Sequence, residues 1–295
     1  MKTNNYSGWI FIDKPEGKTS FDVIRSIRKI LQVKKIGHSG TLDPIASGIL
    51  GVAIGEATKS IPFFSKRKEY KFNITFGASK DTDDVSGKTT ETSKLIPNKE
   101  EISSCLDKFT GEITQLPPKY SAVKVNGQRA YKLARRNINF ELKKKKIEIY
   151  NLRCTGQVNQ ETFSFIAECS TGTYIRSLAR DIAENLNTLG YISYLRRTKL
   201  GKINEKEIIL VDKFIELVHI GDHFRLMHSI QDVLDDIQAV RLDKEFSQKF
   251  KNGLTFDYCN KKVFLRPLAI FSENQFLGIA EIIKGNLKPV RVFNI

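Results

Sequence analysis

Residues Gly37–Gly48 read GHSGTLDPIASG, and this stretch organises everything around it. Glycines at positions 37, 40 and 48 allow backbone angles and close approaches that a side chain would block. Asp43 stands among them between Leu42 and Pro44, with no other carboxylate nearby in sequence. A short carboxylate presented on a tight, small-residue loop suits a nucleophile that must meet a bulky planar substrate. An aspartate before proline can also cap a helix that begins at that proline. Gly48 and the apolar run Ile49–Ile54 argue against a helix of any length there.

On either side of this loop the chain alternates irregularly between strand and helix patterns. Trp9–Asp13 reads as a strand, followed by a Pro15–Gly17 turn. Thr19 opens a capping box with Asp22 ahead of Phe21, Ile24, Ile27 and Leu31 at helical spacing. Ile49–Ile54 is expected to be a buried strand, and Glu69–Phe76 a half-buried one with Tyr70, Phe72, Ile74 and Phe76 on one face. Asn126-Gly127 within Ser121–Gln128 signals a tight hairpin. Thr162–Cys169 places Phe163, Phe165 and Ala167 on one side; Thr173–Asn187 is expected to be helical, with Gly190 as its stop signal. The pattern predicts an α+β fold with a mixed, mainly antiparallel sheet and flanking helices. Residues 205–236 read as a helical bridge. Beyond it, 237–295 reads as a small, mostly β module: a short helix over Leu242–Lys251, then strands around Val263–Phe271, Phe276–Ile283 and Lys288–Phe293. The larger domain is thus expected to span 1–236.

Composition narrows the class. No apolar run approaches the roughly 20 residues that span a bilayer, and MKTNNYSGWIFIDK lacks the features of a signal peptide. A cytoplasmic protein is expected. Cys105, Cys154, Cys169 and Cys259 are scattered and form no C-x-x-C pair, which argues against metal ligation and a disulfide scaffold. His219, His223 and His228 lie close together near Gly221 and Asp222; a solvated helix end and turn is the reading preferred over a metal site.

The net charge is +15, from 48 Lys and Arg against 33 Asp and Glu. Such an excess repels itself unless a polyanion shares it, which points to nucleic acid first and an anionic membrane surface second. Between Lys119 and Arg153 there are eleven basic residues and two acidic ones, interleaved with Tyr120, Tyr131, Phe140 and Tyr150. Arg135 and Arg136 are adjacent, and Lys143, Lys144, Lys145 and Lys146 form an unbroken run. Cations interleaved with aromatics suit RNA, where phosphates are neutralised and unpaired bases stack.

Six ordered segments carry a resemblance: GWIFIDKPEGKTSFDV, KKIGHSGTLDPIASGILGVAIGEATK, KEYKFNITFGASKDTDDVSG, GEITQLPPKYSAVKVNGQRAYKLAR, CSTGTYIRSLARDIAENL and LRRTKLG. Together they resemble the bacterial tRNA pseudouridine-55 synthases, the TruB family, over nearly the whole chain. FLGIAEI and LKPVRVF resemble that family's small PUA-like RNA-binding module. The resemblance implies a pseudouridine-synthase-type fold and isomerisation of one uridine in the T arm of tRNA. The base would be flipped out, detached from its ribose, rotated and rejoined through carbon. No cofactor is implied, no metal, and the protein is expected to act as a monomer on the T stem-loop.

The same resemblance assigns roles. Asp43 is the catalytic nucleophile, on either the anomeric carbon or the uracil ring. Tyr70 packs against the target base and is a candidate for moving a proton; stacking is the preferred role, since tyrosine ordinarily titrates near pH 10. Arg176 would hold Asp43 by a two-pronged hydrogen bond. Lys14, His38, Asp84, Tyr174 and Leu195 are expected at the substrate, with Arg135, Arg136 and Lys143–Lys146 on RNA phosphates. Asp84 could equally cap the amides of its own loop. The family pattern is departed from at Ala134–Asn137, where a glycine often follows the arginine, and at the lysine run. Two rivals stand beside this reading. One is a non-catalytic tRNA-binding or folding chaperone; the other is a metal-dependent nuclease, for which no clustered ligand set is evident.

Overall fold

Strict alternation builds the centre of the molecule. Tyr70, Phe72, Ile74 and Phe76 are buried along one face of β4, Lys68–Phe76, and both edges of that strand are paired. The computed structural model describes residues 6–65, 67–234, 237–258 and 267–294. In it, β1 (Gly8–Lys14), β2 (Ile36–His38), β3 (Ser47–Ile54) and β4 join β5 (Gly111–Gln115), β6 (Lys145–Gln157), β7 (Thr162–Cys169), β8 (Gly190–Leu200) and β9 (Ile209–Leu210). They form one sheet in the order β9-β1-β3-β8-β4-β7-β6-β5, with β2 on β3 and Ile203–Asn204 on β8. β9 runs parallel to β1 and β8 parallel to β3, and the remaining pairs are antiparallel. This is the mixed, mainly antiparallel α+β architecture expected.

Helices close the sheet because their apolar stripes match it. In α1, Ser20–Leu31, the Thr19–Asp22 capping box forms as read, and Val23, Ile24, Ile27 and Leu31 face inward. α2 (Lys99–Cys105) and α4 (Ile175–Asn185) cover the face that carries Tyr70 and Phe72. Between them in the chain, the short α3, Ala130–Arg135, follows the Asn126-Gly127 hairpin. Both hairpin residues have positive φ, 50° and 82°, as a tight two-residue turn requires.

Two local readings change. α4 ends at Asn185, and the chain turns at Asn187, which adopts φ 55°. Gly190 instead begins β8, where an added Cβ would lie 2.9 Å from the Ala183 side chain. His223 is not solvated: it is 3% exposed and packs among Tyr6, Phe214 and Phe224.

Residues 205–236 do more than bridge. β9 adds an edge strand, and α5 (Val211–His219) buries Val211, Phe214 and Leu217, the first two in the core beneath α1. The C-terminal residues form a second, five-stranded sheet backed by α6, Lys244–Lys251. Ala269, Phe276, Ile279 and Phe293 of that part share one apolar core with Trp9, Phe11 and Phe64. Lys59 donates to the Val292 carbonyl at 2.9 Å across the same junction. The strand expected over Val263–Phe271 is seen over Leu268–Ser272; its first residues and Cys259 lie outside the described residues. Among the described residues no helix is long and apolar enough to cross a membrane.

Gly48 is the tightest point of the Asp43 loop. Its φ is 96°, and an added Cβ would sit 2.3 Å from the Arg197 carbonyl oxygen. Backbone cannot yield there as a side chain could. Gly48→Ala is expected to lose on the order of 3 kcal/mol or more. A urea-unfolding midpoint equal to that of the parent would contradict this packing.

Candidate active site

Asp43 is held from below before anything grips its side chain. Leu42, 3% exposed, and Ala46, fully buried, pin the loop into the main core on either side. The Ser20 hydroxyl accepts from the Leu42 amide at 2.9 Å and donates to its carbonyl at 3.2 Å. The Gly17 amide donates to the Pro44 carbonyl at 2.8 Å. Beneath the loop, Lys14 is fully buried, and its ammonium donates to the carbonyls of Lys18 (2.6 Å), Pro15 (2.8 Å) and Pro44 (3.4 Å). Burial pulls its pKa down to about 8. Lys14 was expected at the substrate. Its ammonium instead supports the loop, because a fully enclosed cation must saturate its donors with carbonyls.

Arg176 closes the site from the first turn of α4. It is 3% exposed. Its Nε donates to Asp43 Oδ2 at 2.8 Å and its Nη2 to Asp43 Oδ1 at 3.0 Å, the fork expected from sequence. Nη1 donates to the Thr82 carbonyl at 2.8 Å and Nη2 also to the Tyr120 carbonyl at 3.1 Å. Asp84 Oδ2 stands 3.7 Å from Nε. A guanidinium carries five N–H donors in a planar array, and here they cross-link a loop, a turn, the basic segment and a helix. The Asp43 side chain remains 32% exposed against 4% for Arg176. The carboxylate is therefore aimed from behind and open in front.

Asp84 caps its own turn and also faces Arg176. Its Oδ1 accepts from the Thr82 hydroxyl at 2.8 Å and the Ser86 amide at 3.0 Å, capping its own turn, while Oδ2 faces Arg176. Tyr70 is 7% exposed, and its hydroxyl lies 3.5 Å from Arg197 Nη1. Burial pushes that phenol above its ordinary pKa, which favours an apolar surface over a proton acceptor. Leu195 pairs with Phe72 across β8 and β4 and shares a core with Tyr70 and Leu42. His38 is half-buried; its Nδ1 accepts from the Gly40 amide at 3.3 Å, and burial followed by the Arg197 charge lowers its pKa. The Tyr174 amide and carbonyl are both clasped by the Gln115 side chain, at 2.8 and 3.1 Å.

Arg135, Arg136 and Lys143–Lys146 are all exposed, along the segment that Tyr120 ties to Arg176. Arg135 lies 5.7 Å from the Tyr131 ring centroid, and Lys146 already pairs with Glu112 at 2.8 Å. Two buried participants escaped the sequence reading. Gln115 sits at the end of an edge strand, and Arg197 is fully enclosed, donating to the Ile49 carbonyl at 2.7 Å and the Gly40 carbonyl at 3.3 Å. Arg197 shares a strand face with Leu195, and that alternation is the signal that could have found it. Among the described residues no group of His, Cys, Asp and Glu is arranged to hold a metal ion; the charge between Asp43 and Asp84 is supplied by Arg176.

The fold is shared with chains of two solved RNA–protein and protein complexes. It superposes on a chain of a Cbf5-Nop10-Gar1 complex with TM-score 0.73 at 23% identity, over 97% of this chain and 84% of that one. A chain of an H/ACA RNP bound to a substrate RNA containing 2′-deoxyuridine gives TM-score 0.72 at 21% identity, over 98% and 85%. Sequence goes further. The model for "TruB family pseudouridylate synthase (N terminal domain)" matches residues 28–175. Proteins named tRNA pseudouridine synthase B are 40% identical in Rickettsia bellii (strain OSU 85-389), over 99% of both chains, and 36% identical in Caulobacter sp. (strain K31), over 100% of this chain and 98% of that one. The chain belongs to the TruB family of pseudouridylate synthases.

Asp83, next to the two acceptors of Arg176, has φ 59° and accepts from Arg180 Nη1 at 3.1 Å. Burial, partly offset by Arg180 and Arg176, raises its pKa from 3.8 to about 6. The folded state thus holds this proton more tightly than the unfolded chain. Asp83 therefore lowers stability as pH rises from about 4 to about 6, by at most about 3 kcal/mol. Asp83→Asn should show a melting temperature that is higher, relative to the parent, at pH 7.5 than at pH 4.5. The opposite ordering would contradict the assignment.

Proposed function

We propose that this protein converts the uridine at position 55 in the T arm of tRNA to pseudouridine, with Asp43 as nucleophile. The observation that carries the reading is the half-exposed Asp43 carboxylate, aimed by the two-pronged grip of a buried Arg176. The names of the relatives and the excess of basic residues support tRNA as the substrate.

The target base must leave its stack, which costs a few kcal/mol. Apolar surface from Tyr70 and Leu195 offsets part of this, and cations of the 119–153 segment offset more by neutralising phosphates. The phosphate contacts position the RNA, while pocket contacts select the nucleotide. In the reaction the C1′–N1 bond breaks and a C1′–C5 bond forms. The hydrogen displaced from C5 goes to solvent, and N1 gains one. Asp43 adds transiently to the ribose C1′ or the uracil C6 and departs unchanged, so no redox partner or group donor enters the balance. His38 and Tyr174 border the open side of the loop, and Asp84 acts through Arg176. The five-stranded C-terminal sheet serves as the PUA-like module, the protein acts as a monomer, and the cytoplasm is where it meets tRNA.

Asp43→Asn should retain tRNA affinity within about tenfold and lose on the order of 10⁴-fold or more in rate. Pseudouridine mapping on an unmodified tRNA transcript reads this directly. Near-normal turnover would defeat the assignment, and a wild-type protein that binds tRNA without isomerising it would leave the chaperone reading. Lys143, Lys144 and Lys145 changed together to Ala should flatten the log–log salt dependence of binding by about 0.7–0.9 per lost contact. An unchanged slope would mean these lysines do not touch RNA. Lys146 is left intact because Glu112 already engages it.

A further inference from the structure

Lys68 begins β4 and, since strand side chains alternate, shares the face of Tyr70 and Phe72. Its Nζ lies 3.1 Å from the position a Cβ would take at Gly40, and Arg197 Nη1 lies 3.8 Å from the same point. The ammonium therefore stands against the Asp43 loop, on a strand position about two residues, roughly 7 Å along the backbone, from Tyr70. Lys68 is mostly buried, yet among the described residues its Nζ has no hydrogen-bond or ion-pair partner. Among the described residues, Arg197 beside it donates to two carbonyls and a phenol. Neither cation has a carboxylate within ion-pair distance among the described residues, unlike Arg176, Arg180 and Arg196.

Two neighbouring cations without a counter-charge are costly in a partly dry site. Burial and the Arg197 charge hold the Lys68 ammonium down to about 8. Lys14 shows what the fold does with a cation of purely structural use: it surrounds the ammonium with carbonyls. Lys68 is given none. His38, whose Nδ1 is occupied by the Gly40 amide, adds an Nε2 donor on the same side of the loop.

We propose that Lys68, with His38 beside it, forms a phosphate subsite for one phosphodiester adjoining the flipped uridine, with the Arg197 charge strengthening it from behind. The anion fills the missing counter-charge only once RNA is bound, so the subsite favours the everted nucleotide over any other part of the substrate. It is a binding site within the same cleft and rests on the tRNA reading above.

The test uses the full chain and a synthetic T-arm stem-loop, unmodified or carrying one uncharged methylphosphonate at each phosphate near the target in turn. Lys68→Met should raise Kd about tenfold, the scale of one charged hydrogen bond, and Lys68→Arg should stay within about threefold of the parent. Removing an unpaired buried cation should leave the melting temperature of Lys68→Met equal to or above the parent's. At one methylphosphonate position flanking the target, wild-type binding should weaken about as much, and Lys68→Met should lose nothing further. The proposal is overturned if the two penalties multiply at every position or if Lys68→Met binds like the parent. It is equally overturned if Lys68→Met melts lower than the parent while Lys68→Arg binds no better than Lys68→Met. Pseudouridine formation by the wild type on the unmodified stem-loop separates the two readings. Active enzyme with multiplying penalties sinks the subsite alone, whereas inactive enzyme sinks the reading beneath it.

Discussion

One guanidinium holds this site together. Arg176 is nearly enclosed, and a buried cation is least costly where its donors are satisfied and its charge is met. Asp43 and Asp84 meet the charge, and the carbonyls of Thr82 and Tyr120 take the remaining donors. Those four acceptors come from the glycine-rich loop, the DTDD turn and the basic segment, parts far apart in sequence. The side chain that orients the Asp43 carboxylate is thus the one that makes these parts converge. Removing it would take the shared cation from both Asp43 and Asp84, so the aim of the Asp43 carboxylate and the local assembly are coupled through the same hydrogen bonds.

That convergence explains what could be read in advance. The strands and helices followed from period-two and helical alternation, and Thr19 and Asn126-Gly127 marked their boundaries by local chemistry alone. Family-like motifs surround both Asp43 and Arg176, and the fork expected between them is present. Lys14, Arg197 and Gln115 behaved differently. A polar residue within or at the end of a strand reads as solvent-facing, and only the folded arrangement reveals that carbonyls 30 to 157 residues away complete its hydrogen bonds. His223 misled for the converse reason, since its aromatic neighbours come from separate segments. The end of α4 was misassigned because Asn187 also supports positive φ, while Gly190 is small to clear Ala183.

The C-terminal sheet is seated on the main sheet by a shared core. Its apolar face shares a core with Trp9, Phe11 and Phe64 rather than hanging from a linker, so its orientation relative to the Asp43 loop is fixed by packing. A substrate that touches both parts then meets a surface with little freedom left to lose. Such rigidity lowers the ordering cost of binding and leaves more interaction energy to offset extrusion of the base. The exposed cations of the 119–153 segment present their charge to solvent, whereas those around the Asp43 loop are buried or half-buried.

The most direct measurement of the central claim is single-turnover pseudouridine formation by Arg176→Lys on an unmodified tRNA transcript, with affinity measured in parallel. Lysine keeps the charge but cannot span both carboxylate oxygens and the two carbonyls at once. The expected rate is at least about 100-fold lower, with affinity within about tenfold of the parent. A rate within about threefold of the parent would contradict this, showing that charge alone, without the fork, suffices to aim Asp43.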